Sequence, residues 1–583
     1  MTGEIRGGAS AGGTEQIVQQ WGYTSGTSTI PLLGLTIGDQ FDQTAYRYPD
    51  NLALISRHQN IRWTYQQLHE QVHQCAKALL HLGVQKGQRV GIWALNCAEW
   101  CVTQFATSLV GAILVNINPS YRVHEVEYAL AQSGCCILIT TAQFKASNYT
   151  DMLYTLAPEL RDCAPGQLKS AKLPALTTII RLAEEKVPGM YSWNEFMAMG
   201  NTVRDEALAI RQREQQFDDE INIQYTSGTT GYPKGATLSH HNILNNGYFV
   251  ARLQNLTHHD RMCIPVPLYH CFGMVMGNLG CVTHGATIVY PSESFDPLAV
   301  LQAVQEEQCT SLYGVPTMFI AELEHPDFAQ FDLLSLRTGV MAGSPCPEHI
   351  MRRVIDQMHM TEVEICYGMT ETSPVSTQTR IDAPLEKRVG TVGIVHPHLE
   401  IKIIDPGTGH IVPIGTPGEL CTRGYSVMLG YWNNPEATAT AIDAARWMHT
   451  GDLATMDSEG YINIVGRIKD MVIRGGENVY PREIEEFLYT HPRIIDVQVI
   501  GVPDPKYGEE ICAWIRLKAG EQATAEEIRE FCKGKIAQYK IPRYVFFVEG
   551  FPMTVTGKIQ KFLMRQQSIK DLGLESAASI ETA

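Results

Sequence analysis

The chain has 583 residues, 44% apolar and 19% charged, the composition of a folded globular protein too long for a single hydrophobic core. Its 46 basic and 62 acidic residues give a formal charge of −16, which argues against a non-specific nucleic-acid binder and a generally basic membrane-binding face, though a local basic patch fits. The 15 cysteines are an odd number with no Cys-x-x-Cys pair, which fits a reducing compartment, and no His-Glu-x-x-His helix marks a zinc site.

The N-terminus, Met1 to about Gly13, is Gly-rich and polar, lacks the apolar run of a signal peptide, and with Glu4 and Glu15 does not resemble a transit peptide. Residues 1–30 therefore read as a flexible tail. Gly8-Ala9-Ser10-Ala11-Gly12 matches the Gly-x-Ser-x-Gly pattern of serine hydrolases, but it sits in that tail and not at a strand-to-helix elbow. From Leu52 to Asn118 strand-like and helical pieces alternate, as in Arg89–Trp93 followed by Ala98 to Gly111; the apolar run Ala106 to Val115 is too short to span a bilayer.

The same alternation resumes with the strand-like run Ile221-Asn222-Ile223-Gln224-Tyr225, then strands near Met262 to Pro265, Ala286 to Tyr290 and Ser311 to Val315, with helices through Phe272 to Val282 and after Asp296. An α/β fold follows: a large N-terminal domain, residues 31–466, of parallel-rich sheets flanked by helices. Around Asp457 to Asp470 the composition turns polar. Beyond it, a helix from about Pro481 to Tyr489, strands Val497 to Val502 and Ile511 to Leu517, and a helix from about Ala525 to Ile536 form a small α+β C-terminal domain, residues 470–568. A tail, 569–583, follows; its final Glu-Thr-Ala is no peroxisomal address.

The chemistry is concentrated in Thr226-Ser227-Gly228-Thr229-Thr230-Gly231-Tyr232-Pro233-Lys234-Gly235, directly after a strand-like run. Glycines let backbone N–H groups approach an anion, hydroxyls donate further hydrogen bonds and the lysine adds a point charge, so the loop is suited to phosphate. It is not the P-loop, because Pro233 and Gly235 stand where Gly and Ser/Thr are required. Four further segments follow in order: Tyr367-Gly368-Met369-Thr370-Glu371, Thr450-Gly451-Asp452, Gly466-Arg467-Ile468-Lys469-Asp470 and Thr556-Gly557-Lys558-Ile559.

On these five motifs the chain resembles the acyl-adenylate-forming superfamily from about Phe41 to about Arg565. Within it the chain is most similar to fatty-acyl-CoA ligases of the medium-chain type, through Pro267-Leu268-Tyr269-His270-Cys271, Gly424 to Trp432 and Ile473 to Pro481. The resemblance implies an acid–thiol ligase that activates a fatty acid with ATP, Mg²⁺ and CoA, releasing pyrophosphate. It assigns Thr226 to Gly231 and Lys234 to the β- and γ-phosphates, Thr370 to the α-phosphate, Glu371 to Mg²⁺, Asp452 and Arg467 to the ribose, and Gly343-Ser344-Pro345 with Tyr367 and Gly368 to the nucleotide. Lys558 resembles the catalytic lysine carried by the small domain. Residues 467–469 form the hinge, with Lys469 as its pivot, about which that domain is expected to rotate. Gly475-Gly476-Glu477 would then face the thiol channel, with Lys533 and Arg543 as candidates for the CoA phosphates.

His270 matches the residue bordering the acyl channel, and Met274, Tyr313, Gly314, Val315, Met341, Ala342 and Gly343 are its candidate walls. Cys271 to Gly285 contains no Asp or Glu to receive a substrate ammonium, so an apolar acid is expected in preference to an amino acid. Alternatives are a ligase for another apolar or short-chain acid, and an adenylation enzyme that loads a carrier protein; a luciferase would share every ATP motif. No nucleic-acid partner and no transmembrane segment are expected, and a homodimer is compatible. The expected location is the cytoplasm, or the mitochondrial matrix if a transit peptide has been removed.

Overall fold

The computed structural model describes residues 20–144, 147–226, 233–475, 477–554 and 559–575. Two large sheets dominate. In the first, strands run in the order Tyr191–Ser192, Thr178–Arg181, Cys135–Thr140, Arg89–Trp93, Ile113–Asn116, Glu220–Thr226, Lys234–Ser239 and Gly430–Tyr431, parallel as far as Glu220–Thr226 and antiparallel beyond it. The second runs Ile394–Val395, Val375–Gln378, Glu362–Gly368, Thr338–Ala342, Ser311–Gly314, Arg261–Cys263, Thr287–Tyr290, Leu52–Ser56 and Ile61–Thr64, with a parallel centre and antiparallel edges.

One core lies between these sheets and takes residues from both, such as Ile92 and Leu114 from the first and Leu54, Ile288 and Val340 from the second. Helix Ala98–Val110 fills it. Every residue of that helix except Glu99 is buried, and its buried polar side chains, Thr103, Gln104, Thr107 and Ser108, all donate to backbone carbonyls. Among the described residues no helix is long and apolar enough to cross a membrane. The 15 cysteines, all described, form no disulfide, and all but Cys136 and Cys163 are buried.

A third, antiparallel sheet of Tyr23–Ser25, Leu399–Ile404, Gly418–Gly424, Met448–Met456 and Ile462–Arg467 packs on the far side of the second, so Tyr23–Ser25, within the stretch read as a flexible tail, is instead an edge strand paired with Leu399–Ile404. A short 3₁₀ turn, Ile468–Asp470, then leads to a separate mixed sheet built on the long hairpin Ile494–Asp504 and Gly508–Leu517, with its own core. Here the strands are longer than the sequence pattern predicts, and the helix is shorter: Ala525–Cys532 stops where Lys533 turns extended and Gly534 takes a φ of 70°.

A second difference concerns Ile221 to Tyr225. Apolar and polar residues that alternate ordinarily mark a strand with one solvated face, yet Asn222 and Gln224 are only 1% and 3% exposed. The strand is central and covered on both sides, so its polar residues are satisfied internally.

Candidate active site

The phosphate-loop flanks are fixed by an antiparallel pairing in which Tyr225 faces Gly235 and Thr226 faces Lys234. Gly235 is needed for this closeness, because a Cβ there would stand 2.9 Å from Ile223 Cγ2. Ser227, Gly228, Thr229, Thr230 and Gly231 lie outside the described residues, so the structure places the two ends of this loop, Thr226 and Lys234, and not its tip.

Strand Glu362–Gly368 delivers the second motif. At Gly368 a Cβ would lie 1.7 Å from the carbonyl oxygen of Pro374, so the chain can fold back on itself only with glycine there. The 3₁₀ turn Thr370–Thr372 then holds Thr370 and Glu371 buried at the strand end. Thr226 Oγ1 donates to Glu371 Oε1 at 3.1 Å and the Tyr431 hydroxyl donates to the same oxygen at 2.9 Å. Lys234 Nζ lies 5.2 Å from the centre of the Tyr431 ring, within cation–π range. Burial, with the Glu371 charge beside it, holds the Tyr431 hydroxyl well above the usual phenol range, so it remains a donor.

The third and fourth motifs meet through register: Asp452 on strand Met448–Met456 faces Arg467 on Ile462–Arg467. Arg467 Nε donates to Asp452 Oδ1 at 3.1 Å, and the Tyr367 hydroxyl donates to Oδ2 at 2.8 Å. Tyr367 is held protonated by burial and by the Asp452 charge. Strands Thr338–Ala342 and Glu362–Gly368 are parallel neighbours with Ala342 opposite Cys366, which brings Gly343, Ser344 and Pro345 beside Tyr367. Gly343 and Pro345 are exposed, and Gly343 has a φ of 91°. Lys469 follows in the 3₁₀ turn, where burial and Arg467 lower its ammonium pKa.

His270 opens a π-helix, Phe272–Leu279, a geometry that recurs at functional sites. Its Nδ1 accepts from Phe272 N at 3.2 Å, and its carbonyl accepts from Gly273 and Met274. Met274, Tyr313, Val315 and Ala342 share the central core. Gly343 borders it, since a Cβ there would stand 3.1 Å from Val315 Cγ1, whereas Gly314 faces the other core, where a Cβ would stand 2.9 Å from the Phe319 ring. Met341 does not join them. It points from the opposite face of its strand into the other core, because side chains alternate along a strand and its neighbours Val340 and Ala342 occupy the central face.

The candidates for the thiol route are less convergent. Gly475, with a φ of 60°, and Glu477 are exposed on the hairpin between Val472–Arg474 and Glu477–Val479, while Gly476 lies outside the described residues. Lys533 is paired with Glu530, and Arg543 Nη1 donates to Asp504 Oδ2 at 2.8 Å. Lys558 also lies outside the described residues; the bridge between Met553 and Ile559 fixes the segment on either side of it.

Sequence reasoning missed two features. Tyr431 stood within a recognised segment without a role, and only the fold brings it to Glu371. A buried amide ladder was also missed: Gln224 Nε2 donates to Asn222 Oδ1 at 2.9 Å, Asn222 Nδ2 to Asn116 Oδ1 at 3.0 Å, and both Asn116 and Gln224 donate to Met274 Sδ at 3.1 Å. Its signal was the polar half of Ile221 to Tyr225.

Residues 41–432 match the family model of the AMP-binding enzymes, and residues 483–558 that of the AMP-binding enzyme C-terminal domain. The chain is 51% identical over 546 residues to YngI of Bacillus subtilis (strain 168), provisionally named an acyl-CoA synthetase, covering 94% of this chain and 99% of that one. It is 47% identical over 554 residues to a mitochondrial medium-chain acyl-CoA ligase, ACSF2, of Danio rerio, covering 95% and 91%. Among solved structures, the anthranilate CoA ligase AuaEII in complex with anthranoyl-AMP superposes with a TM-score of 0.82 at 27% identity, covering 93% of this chain and 99% of that one. ATP-bound MatB from Rhodopseudomonas palustris gives 0.79 at 27% identity, covering 92% and 99%. Matched in both its large and its small part, and close to half identical to relatives along nearly their whole length, the chain belongs to the AMP-binding enzyme family, as an adenylate-forming acyl-CoA ligase.

Proposed function

We propose that the acid activated by this ATP-dependent ligase is a medium-chain fatty acid. The observation that carries the nucleotide half is the convergence of four separate motifs on two carboxylates, Thr226 with Tyr431 on Glu371 and Tyr367 with Arg467 on Asp452. The acid half is supported by an apolar core around Met274, Tyr313 and Val315 with Gly343 at its border, and by the medium-chain ligases among the relatives.

A carboxylate is unreactive toward thiols because oxide is a poor leaving group. In the proposed sequence a carboxylate oxygen attacks the α-phosphorus of ATP, the bond to the β-phosphate bridge breaks, and pyrophosphate departs. The CoA sulfur then attacks the carbonyl of the acyl-AMP, giving up its proton, and AMP leaves. Lys234 and Thr226 would hold the terminal phosphates, Thr370 the α-phosphate, and Asp452 the ribose hydroxyls. Lys558 would steady the charge at the forming bond. Glu371 Oε1 and the neighbouring Thr226 hydroxyl form a set of hard oxygen donors that fits Mg²⁺, which when bound would offset the triphosphate charge.

Fifteen unpaired thiols fit the cytoplasm or the mitochondrial matrix, both reducing, and the vertebrate relatives named as mitochondrial favour testing the second by fractionation. The deciding assay for substrate is CoA-dependent AMP release with straight-chain acids from acetate to palmitate. A maximum of kcat/KM near octanoate is expected; a maximum at either end of the panel rejects the medium-chain assignment. Equal AMP formation without CoA but with a carrier protein would favour the carrier-loading alternative.

Tyr431→Phe removes the donor to Glu371 and leaves the ring under Lys234. The expected loss is that of one hydrogen bond to a charged group, about 1.5–3 kcal/mol, read as a roughly ten- to hundredfold fall in kcat/KM for ATP with the KM for the acid little changed. Unchanged ATP kinetics would remove Tyr431 from the site.

A further inference from the structure

Away from the nucleotide site, helices Ile37–Arg47, Tyr65–His81 and Asp205–Arg213 bring together residues that the ligase reaction does not use. His69 and His73 are four residues apart on the second helix and so share one face. Both turn Nε2 to one atom of the first helix: Asp42 Oδ1 lies 3.3 Å from His69 Nε2 and 2.9 Å from His73 Nε2. The imidazoles stack with centroids 3.8 Å apart and planes 28° from parallel, and Phe41, fully buried, stacks on His69 from below. From the third helix, Gln212 Nε2 donates to the other carboxylate oxygen, Asp42 Oδ2, at 2.9 Å.

We propose that Asp42, His69 and His73 bind one divalent transition-metal ion of the zinc class. Zinc bonds of about 2.0–2.2 Å to nitrogen and oxygen place ligands of a tetrahedral ion about 3.3–3.6 Å apart; the 3.3 Å from Asp42 Oδ1 to His69 Nε2 meets the lower end of that spacing, and the 2.9 Å to His73 Nε2 is a few tenths of an ångström shorter. All three ligand atoms lie within 4.8 Å of one another, so small side-chain adjustments close the site. Without the ion, Asp42 Oδ1 needs an N–H on each ring. With it, each ring carries its proton on Nδ1 and turns the Nε2 lone pair inward, which replaces two hydrogen bonds to one oxygen by three coordinate bonds. Gln212 supplies the outer hydrogen bond that fixes a ligating carboxylate.

Access and selectivity agree with this assignment. The three side chains are 24–34% exposed, which leaves a fourth position to water. Two imidazoles and one carboxylate suit Zn²⁺, Co²⁺, Ni²⁺ or Cu²⁺, whereas Mg²⁺ and Ca²⁺ require oxygen donors, so the Mg²⁺ that accompanies ATP does not compete. The bound ion would tie the helix Ile37–Arg47 to Tyr65–His81, and its expected effect is on stability. The proposal is independent of the acid specificity.

The test uses the full chain, stripped with a chelator and titrated with Co²⁺ as a spectroscopic probe. One equivalent should produce a saturable ligand-field absorption band without a thiolate-to-cobalt charge-transfer band, and Zn²⁺ should bleach it. His69→Ala/His73→Ala should weaken binding by at least about a hundredfold while ligase activity with ATP, CoA and Mg²⁺ stays at the wild-type level, since removing even an outer-shell partner costs about 10- to 100-fold. Asp42→Asn, nearly isosteric, repeats the test if the double variant does not fold. Zn²⁺ should raise the Tm of the wild type and of neither variant. A wild type with no saturable band overturns the proposal. So does a band that shows thiolate charge transfer and survives in the variants, which would place the ion instead at Glu419, Cys421 and His449.

Discussion

Lys558→Ala is expected to slow adenylate formation by at least about a hundredfold, the size of a charge contact made to the reacting phosphate and carboxylate in the transition state. The same variant should convert supplied acyl-AMP and CoA to thioester at close to the wild-type rate, because in the proposed cycle this lysine serves only the first half-reaction. Pyrophosphate release on mixing enzyme, ATP and octanoate measures the first step, and thioester formation from synthetic acyl-AMP the second. A variant equally slow in both would show that Lys558 acts throughout, or that the small domain does not alternate.

Gly475→Leu is expected to fail in the opposite way. Gly475 is exposed on a hairpin and its nitrogen donates to the Tyr507 carbonyl at 2.8 Å; if the hairpin faces the thiol channel as the family resemblance implies, a leucine there would narrow it. Adenylate should form normally, and thioester formation should fall at least about tenfold. The variant also carries strain: φ is 60°, and a Cβ would stand 3.3 Å from Tyr507 Cδ1. Left-handed backbone costs a non-glycine residue roughly 1–2 kcal/mol, and the adenylation rate reports whether that cost has spread beyond the hairpin. Loss of pyrophosphate release in parallel with thioester formation would point to general damage and not to an obstructed channel.

The parts of this enzyme that could be read in its sequence are those encoded over a few consecutive residues. Thr226 with Lys234 at the two ends of one loop, Tyr367 to Glu371 and Gly466 to Asp470 are local patterns in which a glycine permits a turn or a close approach of the backbone. Strand Arg89–Trp93 and helix Pro481–Tyr489 were legible for the same reason, since their hydrophobic periods are uninterrupted. Harder to read were features set by what lies across a sheet. The alternation at Ile221 to Tyr225 gives the period of the strand and not the fact that both its faces are covered. Met341 was assigned to the wrong side because a period of two has two phases, and the apolar neighbours on each side do not distinguish them. The Tyr431 contact with Glu371, spanning 60 residues, depends on an edge strand pairing that no local pattern specifies.

The pairing of Asp452 with Arg467 makes the proposed ribose anchor part of the same ladder that ends at the turn Ile468–Asp470. A ribose hydroxyl that draws on Asp452 must share its oxygens with Arg467 and Tyr367, so occupancy of the proposed nucleotide site would change the pull on Arg467, the residue immediately before that turn. Thermodynamic linkage makes the relation mutual: whatever reorients the turn changes the affinity for the nucleotide by the same factor. In the proposed cycle nucleotide exchange and the orientation of the smaller domain would form a single coupled equilibrium, and a substitution at Lys469 that biases the orientation should shift the Kd of AMP and of ATP.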